Sequence, residues 1–103
     1  MFKYTTPTFT LTLPEGTDLG LANEVVATFA KDGKEIASKT GDDLVIDANV
    51  VQVYFSQDET KDFPVGVIGV QLNWTYIDGG KTKRACSTIA KVNVDANLYK
   101  EVI

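Results

Sequence analysis

Residues 66–94 constrain the chain more than any other stretch, because they hold two long alternating segments joined at Asp78-Gly79-Gly80. In the first, Ile68, Val70, Leu72, Trp74 and Tyr76 fall on one face, while Gln71, Asn73 and Thr75 fall on the other. Successive side chains of a strand point to opposite faces, so this period of two marks a half-buried β-strand. An Asp-Gly pair between two such runs tolerates the positive φ of a tight turn and signals a hairpin. Strands over 65–77 and 81–94 follow.

The same chemistry recurs along the rest of the chain. A strand over 8–13 places Phe9, Leu11 and Leu13 inward and Thr8, Thr10 and Thr12 outward. Pro7 and Pro14 bracket it, which suits an edge because proline cannot donate to a ladder. Asp18 is placed to cap a short helical turn through Leu19 and Leu21. Strands over 24–30 and 34–39 turn at Asp32-Gly33, with Val25, Ala27 and Phe29 on one face and Ile36 opposite. Strands over 43–46 and 50–56 turn at Asp47-Ala48-Asn49, setting Leu44 and Ile46 against Val51, Val53 and Phe55. Ser56 and Glu59 match a capping box, and Pro64 forbids continuation, so one short helical turn near 57–62 tucks Phe63 under the strands.

About seven short strands with turn signals at this spacing predict an all-β fold, an immunoglobulin-like antiparallel β-sandwich. Unequal strand lengths and the helical turn between the fifth and sixth strands weigh against a small barrel. A length of 103 residues suits one domain, expected over 1–97. Residues 98–103 then form an apolar C-terminal tail or an extra edge strand.

Composition narrows the function classes. The net charge of -4 opposes nucleic-acid binding, which gains from a basic footprint. Apolar runs are too short to cross a bilayer, so no membrane partner is expected. The N-terminus lacks an apolar signal core, so synthesis in a cytoplasm without a signal peptide is expected, which is compatible with later release by another route such as assembly into a particle freed by lysis. The single cysteine, Cys86, excludes an internal disulfide and is expected to be a small buried residue.

Nothing in the chain reads as catalytic. There is no histidine, which removes the commonest general base. Ser38 and Lys39 are neighbours on a strand and point to opposite faces, so they cannot form a dyad. Asp42, Asp43, Asp47 and Asn49 are better turn formers than calcium ligands, since their side chains bond their own backbone. Asp58, Glu59 and Asp62 suit the N-terminus of a helical turn. Lys81, Lys83 and Arg84 read as a solvated hairpin limb. No catalytic residue, cofactor or metal ligand is therefore expected.

Two surfaces remain. Tyr54, Gln71, Asn73 and Trp74 would form the platform of a carbohydrate- or ligand-binding module, although Trp74 and Tyr76 share the apolar face and suit core packing better. A small-molecule or glycan ligand is the less favoured partner. The tail carries Leu98, Tyr99, Val102 and Ile103, which must pack along their own domain or against a neighbour. A homo-oligomer or contact with other structural proteins is the expected outcome.

The opening strand Thr8-Phe9-Thr10-Leu11-Thr12-Leu13-Pro14, Val26-Ala27-Thr28-Phe29 leading to Asp32-Gly33-Lys34, and the Ser56-Gln57-Asp58-Glu59-Thr60 turn carry a further resemblance. Pro64-Val65-Gly66, the run from Val70 to Tyr76 and Asp78-Gly79 complete it. The arrangement resembles small immunoglobulin-like domains of tailed phages and prophages, in particular the N-terminal domain of upper-baseplate proteins. That resemblance implies a non-enzymatic adaptor or structural part of a virion that assembles as an oligomer. The chain stops after the domain, without the helical or receptor-binding part of the larger baseplate proteins, so a separate small virion component fits better than a baseplate role.

Overall fold

The computed structural model describes residues 1–103, with β1 (Thr8–Thr12), β2 (Glu24–Lys31), β3 (Lys34–Thr40), β4 (Leu44–Asp47), β5 (Val50–Tyr54), α1 (Gln57–Thr60), β6 (Gly66–Asp78), β7 (Lys81–Cys86) and β8 (Ala90–Val94). Short 3-10 turns cover Leu19–Leu21 and Gly41–Asp43. The strands form two antiparallel sheets, ordered β1-β5-β4 and β3-β2-β6-β7, with β8 also pairing β6. The chain is thus an all-β sandwich with a single short α-helical turn.

Local chemistry accounts for the turns. The β2–β3 turn holds Asp32 at φ 52 and Gly33 at φ 77, and the β6–β7 turn holds Gly79 at φ 59 and Gly80 at φ 75. Consecutive positive φ values match the right-handed twist of hairpin strands, which favours Asp-Gly and Gly-Gly at these positions. Asp18 accepts from Gly20 N at 2.9 Å, as its capping position requires. The capping box forms too: Glu59 N donates to Ser56 Oγ at 3.2 Å, and Ser56 N donates to Glu59 Oε1 at 3.0 Å.

Both inner faces meet in one core. Phe29 on β2 lies 5.2 Å from Phe9 on β1 and 4.8 Å from Phe55, which follows β5. Phe63 closes the cluster at 5.2 Å from Phe55. Val51, Val53, Ile68, Val70 and Leu72 pack around these rings. Thr60 is the one buried polar residue; its hydroxyl donates to Thr5 O at 2.7 Å, which ties α1 to the N-terminal segment.

Three expectations need correction. The run over 81–94 is two strands rather than one, which raises the strand count to eight. Ser87 makes the break: its hydroxyl oxygen accepts from Leu72 N at 2.9 Å, Ser87 N donates to Leu72 O, and its carbonyl accepts from the Gln71 amide. A side chain thus takes a ladder position, and pairing with β6 resumes only at Ala90. Tyr76 is exposed rather than packed in the core, because β2 pairs β6 only as far as Thr75 and the hairpin runs on beyond the sandwich. Cys86 is exposed rather than buried, since it pairs with Asn73 and takes the outer side of the sheet.

Candidate interaction edges

The four residues of the expected ligand platform lie on different surfaces. Tyr54 is on the outer face of the three-stranded sheet, where its hydroxyl donates to Gln52 Oε1 at 3.1 Å. Gln71 and Asn73 are on the outer face of the five-stranded sheet, and both are engaged. The Gln71 amide donates to Ser87 O at 2.9 Å, while Asn73 Oδ1 accepts from Arg84 Nε at 3.1 Å and Nη2 at 3.0 Å. Trp74 takes the opposite face of β6 and packs, partly buried, against the core. The structure therefore assembles Gln71 with Asn73 and leaves Tyr54 and Trp74 elsewhere.

The tail is uncovered. Leu98 and Ile103 are fully or almost fully exposed, and Tyr99 and Val102 are also exposed. No strand forms over 98–103. Two polar contacts hold its end: Ile103 N donates to Gln57 Oε1 at 2.8 Å, and Gln57 Nε2 donates to Ile103 O at 3.2 Å. Asn97 Nδ2 donates to Lys3 O at 3.0 Å at its root. The backbone is tethered beside α1 while the apolar side chains face water.

An edge strand presents unpaired N–H and C=O groups, and charged residues blunt its tendency to pair. On β3, Lys39 points inward, with its ammonium 4.8 Å from the Phe55 ring centre and an ion pair to Glu59. Burial pushes the Glu59 carboxyl up, but the Lys39 contact and the Ser56 hydrogen bonds outweigh it and hold the group below its usual value. β7 carries Lys81, Lys83 and Arg84, of which Lys83 bonds Asp78 at 2.8 Å. β8 carries Lys91, and its end is bordered by the N-terminal segment, where Lys3 N donates to Asp95 O at 3.0 Å. β4 is four residues long and ends in Asp47.

β1 differs from all of these, because the sequence TFTLT carries no charge. Between β1 and the β7–β8 break lies an open cleft of about 450 Å³, lined by Leu11, Leu13, Thr17, Leu72, Trp74 and Ala90 among others, with no charged residue. Phe9 and Leu11 pack against the core from β1 yet stay only half-buried. Sequence reasoning placed these residues correctly on the inner face. The cleft beside them depends on which strands become edges, and no local signal carried that.

No group of three or more His, Cys, Asp or Glu side chains is placed to hold a metal ion. No helix is long and apolar enough to cross a membrane. No family model, curated protein or solved structure matches the chain.

Proposed function

We propose that the chain is a non-enzymatic structural or adaptor protein of a tailed phage or prophage, acting through protein–protein contacts in a virion or tail-like assembly. The observation that carries this reading is the tail: Leu98, Tyr99, Val102 and Ile103 are all exposed on a segment tethered only through backbone and amide contacts. Exposed apolar groups clustered on one short segment mark an interaction site. The uncharged β1 edge adds a second surface open to a partner. The resemblance of the strand and turn residues to phage immunoglobulin-like domains supports the virion setting.

Light scattering on a sizing column tests the reading, on the full chain and on one truncated after Asn97. A full chain heavier than its 11.2 kDa monomer, with mass lost on truncation, supports an assembly element in the tail. Equal masses for the two chains would remove the tail from the account.

A further inference from the structure

We propose that β1 is a self-pairing edge, at which a second copy of the chain adds antiparallel about a two-fold axis at Thr10. The inference deepens the assembly reading above and rests on it.

Backbone direction comes first. The β1–β5 ladder runs without a shift from Thr8↔Tyr54 to Thr12↔Val50. At its two ends Leu13 N donates to Asn49 O at 2.8 Å and Phe55 N donates to Pro7 O at 3.3 Å. Hydrogen-bonded residues alternate along an antiparallel strand. Phe9 and Leu11 therefore spend their backbone groups on β5, and Thr8, Thr10 and Thr12 aim theirs at the open side.

Self-complementarity comes second. An isologous contact sets each residue against its mirror position on the other copy. About Thr10, TFTLT places Thr8 opposite Thr12, Phe9 opposite Leu11 and Thr10 opposite itself. Threonine pairs are favourable cross-strand neighbours, and no like charges meet. The same operation on β7 sets Lys83 or Arg84 against another cation, and β3 would carry its inward Lys39 into the contact. β1 is the one open edge strand that carries no charged residue at all. The added strand also covers the half-buried flanks of Phe9 and Leu11 and the rim of the adjoining cleft.

Sedimentation equilibrium of the full chain from about 1 μM to about 1 mM tests this, with Thr10→Pro, Thr10→Lys and Thr10→Val. The parent and Thr10→Val follow a monomer–dimer equilibrium. Thr10→Pro removes an N–H that β5 does not use, so the fold persists while dimerisation weakens by about 10-fold or more. Thr10→Lys adds an edge charge on an exposed side chain and weakens it likewise, which covers the case that the proline variant fails to fold. Dimers of unchanged affinity in folded Thr10→Pro or in Thr10→Lys overturn the inference. If such dimers disappear instead on truncation after Asn97, the tail is the contact, so the assembly reading stands and the β1 inference falls. A chain that is monomeric throughout the range overturns β1 pairing and self-assembly together.

Discussion

Phe29→Ala probes whether the two sheets share one core. Phe29 is fully buried on the five-stranded sheet, and its ring touches Phe9 and Phe55 from the three-stranded side and Phe63 from the connection. Removing a buried phenylalanine ring costs about 3–5 kcal/mol, from lost transfer energy plus the cavity left behind. A domain of this size holds about 5–15 kcal/mol in total, so the variant should stay folded with Tm lowered by about 15–25 °C. Guanidinium and thermal unfolding, followed by far-UV circular dichroism and Trp74 fluorescence, measure both quantities. A double-mutant cycle with Phe55→Ala isolates the contact across the sheets, where an edge-to-face pair 4.8 Å apart should couple by about 0.5–1.5 kcal/mol. A loss under about 1 kcal/mol for the single variant, or no coupling in the cycle, would refute the face-to-face packing of β2 on the β1–β5 layer.

Three further outcomes follow from single contacts. Thr60→Val keeps the shape but leaves Thr5 O without its buried donor, so stability should fall by about 1–3 kcal/mol; an unchanged denaturant midpoint would contradict this. Glu59 titrates below its usual value in the folded chain, so its contribution is present above that value and lost as pH falls through the folded one. The stability gap between the parent and Glu59→Gln should therefore be constant near neutrality and narrow below about pH 4.5, and, because the Glu59 carboxylate is exposed, it should stay under about 1 kcal/mol; a gap that ignores pH counts against the Lys39 pairing. Cys86 should react with an aromatic disulfide reagent in the native protein at close to the rate of the unfolded chain, whereas strong native protection would return it to the core.

Hairpins and caps were legible because their causes are local. Asp32-Gly33, Asp18 and the Ser56–Glu59 box act within a few residues, and each forms as its chemistry requires, while the β6–β7 turn falls at Gly79-Gly80, one residue past the Asp78-Gly79 pair that signals it. Alternation also identified the inner faces of β2, β5 and β6. Depth was not legible, since Trp74 and Tyr76 continue the pattern of Leu72 while β2 stops covering the strand at Thr75. Ser87 is one polar residue among outward polar residues until Leu72 is folded against it. Lys39 reads as a solvated strand lysine, and only the approach of Phe55 and Glu59 turns it inward. The candidate site divides the same way: the apolar tail is plain from composition, but the edge status of β1 follows from the order β1-β5-β4, which no short stretch of sequence encodes.

Amide hydrogen exchange by NMR, on dilute and on concentrated protein, tests the account at its centre. Phe9, Leu11 and Leu13 amides bond toward β5 and should be protected in both samples. Thr8, Thr10 and Thr12 amides face the open edge and should exchange fast when dilute, then slow as the concentration rises and a second β1 covers them. Threonine amides that exchange equally fast at every concentration would contradict a self-pairing edge, and threonine amides already protected in dilute monomer would contradict the edge itself.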